Sequence, residues 1–141
     1  MPSKIVFGTA RVLEFINRHR PLEFIQGSRG VGLERDGELV AGVIYEGWNF
    51  QSIWVHIAAE PGSQWLNKEY LRFCCDYPYV TCKCKFMLAY IDAANLPALR
   101  FATHLGFKEE CRIREAASDG GDILILKMGR NECRYATKAE V

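Results

Sequence analysis

Asp36-Gly37 stands between two strand-like runs, Val31 to Arg35 and Glu38 to Tyr45. A two-residue connection of this type favours positive φ at both positions and closes a tight type I′ hairpin. A second turn around Gly47 to Gln51 leads to a third run, Ser52 to Ala59. The sequence therefore predicts three antiparallel strands in succession. The period then changes: Leu66, Tyr70, Phe73, Cys74 and Tyr77 recur at helical spacing, and Pro78 marks the stop. The largely continuous apolar run Lys85 to Ile91 reads as a strand covered on both faces.

The flanks complete the order. Ile5-Val6-Phe7 is a short apolar opening. Thr9 is placed to cap a helix from Ala10 to Arg18, with Val12, Leu13 and Ile16 on one side, and Pro21 closes it. Gly27 to Gly32, with three glycines, reads as a loop. Asn95 opens another helix, Pro97 sits in its tolerated first turn, Ala98, Phe101, Ala102 and Leu105 form its apolar stripe, and Gly106 ends it. Phe107 to Arg114 and Asp122 to Met128 are the last two strands. The class is α+β, with a β-α-β unit in the second half.

At 141 residues the chain is the size of one domain, expected over residues 1–130, with a polar tail over 131–141. Eighteen Lys and Arg against 17 Asp and Glu leave a net charge of +1, which argues against a dedicated nucleic-acid binder. The apolar runs Leu39 to Tyr45 and Phe86 to Ile91 fall far short of the ~20 residues that cross a bilayer. Met1-Pro2-Ser3-Lys4 does not lead into a signal peptide, so the expected address is cytoplasmic, with no membrane partner. Six cysteines are present, but Cys74-Cys75 and Cys82-Lys83-Cys84 lack the C-x2-4-C spacing of zinc ligands. Reduced structural thiols and no metal are expected.

The stretch from Asp92-Ala93-Ala94-Asn95-Leu96-Pro97-Ala98 to His104-Leu105-Gly106-Phe107, together with the order of elements, resembles the GNAT superfamily of N-acetyltransferases. In that signature an Asn opens the helix, an Ala follows three residues later, and Gly-Phe ends it. The likeness covers about residues 5–129 and leans towards small bacteriophage proteins of this type. It implies a GNAT-like mixed, mostly antiparallel twisted sheet with one splayed parallel pair, flanked by about three helices. It also implies transfer of an acyl group from acetyl-coenzyme A to a primary amine, on a small molecule or a protein, by direct attack. A homodimer is compatible with it.

Two positions depart from the pattern. Superfamily members usually hold the coenzyme pyrophosphate with an R/Q-x-x-G-x-G/A loop; here the segment is Glu60-Pro61-Gly62-Ser63-Gln64-Trp65-Leu66-Asn67, with one glycine and a carboxylate. The usual tyrosine acid lies four residues before the helix-ending Gly, where this chain has Ala102. Both departures favour the alternative, a catalytically inactive GNAT-like binding or assembly protein, phage-encoded by the same likeness.

On the third strand Trp54, His56, Ala58 and Glu60 share one face, and Ile53, Val55, Ile57 and Ala59 the other. Histidine as a residue type titrates near neutral pH, so His56 suits a general base; Glu60 is the second candidate, and Tyr90 a substitute acid. Mapped from the resemblance, the cofactor-binding set is Ile57 and Ala58 on the splayed strand, Gly62, Ser63 and Gln64 in the loop, and Asn95 and Arg100 on the last helix. Trp48, Phe50, Trp54 and Trp65 cluster in sequence around the third strand, as core or as pocket wall.

Overall fold

The computed structural model describes residues 3–19, 27–60 and 67–138. Its strands are β1 (Ser3–Phe7), β2 (Arg29–Arg35), β3 (Glu38–Glu46), β4 (Ser52–Ala59), β5 (Phe86–Asp92), β6 (Lys108–Ile113) and β7 (Ile123–Gly129). Its α-helices are α1 (Thr9–His19), α2 (Lys68–Asp76) and α3 (Leu96–Leu105). The strands form one sheet in the order β1-β2-β3-β4-β5-β7-β6. Every adjacent pair is antiparallel except β4–β5, which is parallel. This is the mixed α+β sheet that the order of sequence signals predicts.

The hairpin that organises the reading is present. Arg35 pairs with Glu38, and Asp36 and Gly37 have φ of 54° and 79°. Three expectations are corrected. The apolar opening is edge strand β1, paired with β2. Gly30 and Gly32 belong to β2 rather than to a loop. Their lack of side chains is what seats α1: a Cβ on Gly30 would stand 2.9 Å from the Val12 Cβ and 3.0 Å from the Thr9 Cα, and one on Gly42 of β3 would stand 2.9 Å from the Val12 Cγ1. Thr9 accordingly turns its hydroxyl to the sheet, where it accepts from the Gly30 N–H at 3.1 Å. Pro78 does not stop the chain's coiling. A π-helical turn over Tyr77–Thr81 follows α2, with the proline in its first turn, where its missing N–H is not needed. Pro21 lies outside the described residues.

Alternation along the strands divides the interior in two. On one face α1 packs Val12, Phe15 and Ile16 against Leu39 and Ile44. On the other, Tyr70, Leu71 and Cys74 of α2 and Ala102 and Leu105 of α3 pack against Val31, Val43, Val55, Leu124 and Met128. Buried hydroxyls fix this second layer. Tyr45 donates to the Cys74 carbonyl at 2.5 Å, Tyr70 to the Val31 carbonyl at 2.9 Å, and Tyr79 to the Met128 carbonyl at 2.5 Å. Burial pushes all three hydroxyls above the usual tyrosine range, so they remain protonated donors. All six cysteines are free thiols, four of them buried. None of the described helices is long and apolar enough to cross a membrane.

The chain beyond Gly129 returns to the α3 end. Cys133 is fully buried, the Arg134 N–H donates to the Leu105 carbonyl at 2.8 Å, and the Asp76 carboxylate accepts from both the Thr137 N–H and hydroxyl at 2.7 Å. This return depends on Gly106, whose φ is 125° and where a Cβ would fall 2.1 Å from the Glu132 carbonyl oxygen. Gly106→Ala is therefore expected to cost about 2 kcal/mol or more, from positive φ and the backbone collision together. Thermal unfolding measures it; an unchanged melting temperature would contradict this account of the α3 terminus.

Candidate active site

Strands β4 and β5 are in register only at Ser52–Phe86, Ile53–Met87 and Trp54–Leu88. β4 then continues to Ala59 on β3, and β5 to Asp92 on β7, as the two separate. The V-shaped gap holds a cleft of about 570 Å³. Its walls are Val55 to Ala59 of β4, Ala89 to Asp92 of β5, and Asn95, Ala98, Phe101, Ala102 and Leu105 from the α3 side. Residues of both faces of the sheet line it, so the cleft passes through the sheet.

The backbone of β4 contributes its own polar groups. Glu60 N–H donates to the Val40 carbonyl at 2.9 Å, and Lys85 N–H donates to the Gln51 carbonyl on the β5 side at 2.8 Å. Alternation between those anchors directs the peptide groups of Ile57 and Ala59 towards β5, beyond the last registered pair. Their N–H groups are donors available to a carbonyl oxygen or an extended ligand in the gap.

His56 lies on the α1 face of β4 and lines the cleft, with 2% of the residue exposed. Its Nε2 is 2.6 Å from the Glu46 Oε1, and its ring stands edge-on to Tyr90, with centroids 5.3 Å apart at 78°. Tyr90 also packs edge-on to Trp54, at 6.1 Å. Glu46, the last residue of β3, was not anticipated from sequence. A lone carboxylate beside a turn looks like a solvated strand end, and only the register that sets it opposite Trp54 brings it diagonally beside His56. Asp92, where β5 meets the α3 turn, is a second unanticipated carboxylate among the cleft-lining residues.

The sequence candidates separate. His56, Tyr90, Ile57, Ala58 and Asn95 all line the cleft. Glu60 does not; its Oε1 is 3.6 Å from His19 Nε2 at the end of α1. Arg100 is exposed on α3 and is not among the lining residues. Gly62, Ser63 and Gln64 lie outside the described residues, as does Trp65. Ala102 presents a buried methyl in the cleft wall, so no acid occupies that position. The aromatic set divides: Trp54 joins Tyr90, while Trp48 and Phe50 pair at 4.1 Å in the β3–β4 turn, both exposed. Among the described residues no group of His, Cys, Asp or Glu side chains is arranged to hold a metal. Asn67, and not only Asn95, is a helix cap: it accepts from the Tyr70 N–H at 3.0 Å.

The splayed parallel pair, its donor-bearing strand and the helix set across it make this the fold of the GNAT N-acetyltransferases. In particular, the chain superposes on the spermidine/spermine N-acetyltransferase of Vibrio cholerae solved with manganese ions. That match has a TM-score of 0.72 and 14% identity, over 90% of this chain and 92% of that one. The dodecameric spermidine N-acetyltransferase of the same organism, in an intermediate state, gives a TM-score of 0.74 and 14% identity, over 90% and 93%. No protein-family model and no curated protein matches the sequence. The likeness to bacteriophage proteins finds no support in these structures.

Asn95 Oδ1 accepts from the Ala98 N–H at 3.3 Å, capping α3 where it borders the cleft. Asn95→Ala is expected to cost about 1 kcal/mol, and Asn95→Asp to recover most of it. Chemical denaturation of the two variants checks this; equal losses would show that the cap is not the source.

Proposed function

We propose that this chain is an N-acyltransferase moving an acyl group, acetyl first among candidates, from a coenzyme A thioester to a small primary amine. The observation that carries the reading is the splay of β4 from β5, which opens a cleft of about 570 Å³ with His56 in its wall. A volume of that size suits a thioester arm together with a small acceptor. The thioester supplies an activated carbonyl, and the residues present fit it: the Ile57 and Ala59 N–H groups are donors for its oxygen, while Ala98 and Ala102 leave room along α3.

In the reaction the amine nitrogen bonds to the carbonyl carbon, the carbon–sulfur bond breaks, and the sulfur leaves with the bonding pair. His56 accepts the proton the amine gives up, and a proton returns to the leaving thiolate, so products are an amide and a free thiol. With Ala102 in the acid position, Tyr90 is the hydroxyl-bearing residue among the described wall residues that could make that return. A thiol of pKa near 8.5 departs without strong assistance in any case. Asp92 provides a negative charge within the cleft, which favours a cationic acceptor. The Vibrio cholerae neighbours are named for acting on spermidine and spermine, and polyamines are accordingly the first acceptors to test.

Mass spectrometry of spermidine incubated with acetyl-coenzyme A and the protein tests the reading: an added acetyl group is expected. His56→Ala should lower kcat/KM by roughly 10² to 10⁴, with acetyl-coenzyme A affinity nearly unchanged. Failure of acetyl-coenzyme A to raise the melting temperature at millimolar concentration would overturn the reading. Ala102 and the poor match of the Glu60 loop favour a second reading, a binding module that has lost turnover. Coenzyme binding without transfer to any primary amine would establish that instead.

A further inference from the structure

The carboxylate beside His56 is built into the sheet in an unusual way. Glu46 keeps only 11% of its side chain exposed, and its Oε1 is 2.6 Å from His56 Nε2. Its second oxygen, Oε2, is buried with no hydrogen-bond partner among the described residues. A carboxylate in a dry site normally has every lone pair engaged, because an uncompensated charge there is costly. The negative charge at Glu46 is therefore not spent on other structural hydrogen bonds; among the described residues its carboxylate is bonded to the imidazole. A carboxylate only accepts, so Nε2 is the ring's donor, and in the neutral ring the basic lone pair is on Nδ1.

The ring is held from the other side as well. Tyr90 stands edge-on against it from β5. Rotating the imidazole would break the 2.6 Å contact and leave both Glu46 oxygens unpartnered. Tyr90 and Asp92 on β5 share the cleft lining with His56, and the Glu60–His19 pair sits at the ends of β4 and α1. On the same face Phe15 and Ile16 of α1 belong to the apolar cluster with Ile44. Glu46 is the carboxylate that meets the ring at Nε2.

We propose that Glu46 is the positioning residue of the His56 base: it fixes the Nε2–H tautomer, presents Nδ1 as the basic nitrogen, and stabilises the imidazolium formed when the amine loses its proton. The inference deepens the acyltransferase reading and rests on it for its role in turnover. Its structural part stands by itself.

The test is nitrogen NMR of the full chain labelled at histidine, with His56→Gln identifying the His56 signals among the three histidines. The neutral ring is expected to show the proton on Nε2 and a lone-pair resonance for Nδ1. In Glu46→Gln the midpoint of the His56 titration should move to lower pH by about one unit or more, since a negative charge in contact with the ring is gone. Glu46→Asp should restore part of the shift. In turnover, Glu46→Gln should lower kcat roughly 10- to 100-fold with the KM for acetyl-coenzyme A unchanged, and carry the acid limb of the pH profile down with the NMR midpoint. A neutral ring protonated on Nδ1, or a midpoint unmoved in Glu46→Gln, overturns the proposal. If Glu46→Gln does not fold, the tautomer of the unmodified protein decides alone. A chain that shows the Nε2–H tautomer and the shift but no acyl transfer ends the acyltransferase reading and leaves the role of Glu46 on the ring intact.

Discussion

The parting of β4 from β5 after Trp54 and Leu88 is the constraint on which the molecule's arrangement depends. A parallel pair abandoned after three registered positions leaves peptide groups without partners on the facing edges, which a protein tolerates only where something else meets them. Each strand can leave because each is held from behind. β4 remains paired with β3 through Ala59, and β5 with β7 through Asp92. The chain turns out of β5 through Asn95 into α3, whose small residues Ala98 and Ala102 border the gap rather than fill it. Cleft, donor strand and capped helix are thus one structural event seen from three sides.

The second layer gives that event its rigidity. Tyr45 and Tyr70 tie α2 to the sheet through hydroxyl-to-carbonyl bonds, and Tyr79 ties the π-turn to the end of β7. Such bonds are directional, unlike apolar contact alone, so they fix where a helix sits along a strand as well as how deeply it packs. On the opposite face α1 is set by a different device, the absence of side chains at Gly30, Gly32 and Gly42, which lets Val12 approach the backbone of β2 and β3.

What was legible in the sequence followed from local chemistry. The Asp36-Gly37 turn, the bounds of β4 and the capped start of α3 at Asn95 are each encoded within a few residues. The glycines of β2 misled because glycine signals a loop when read alone and a close helix approach when read in three dimensions. Pro78 misled because its conflict with helical hydrogen bonding vanishes when a wider turn begins at that point. His56 was legible as a residue of one strand face, whereas Glu46 was not, since its relation to His56 exists only across the β3–β4 register. Glu60 followed the same face in the alternation, yet β4 ends at Ala59, and the next side chain goes to His19.

A cleft that traverses a sheet has two mouths. His56, Ala58 and Tyr90 belong to the α1 face, while Val55, Ile57 and the α3 residues belong to the other, so ligands approaching from opposite sides meet at the plane of the strands without sharing a doorway. Two molecules bound this way need not displace one another, and neither has to leave before the other arrives. Were a transfer to run between them, the kinetics set by this architecture would be those of a ternary complex, with intersecting rather than parallel reciprocal plots.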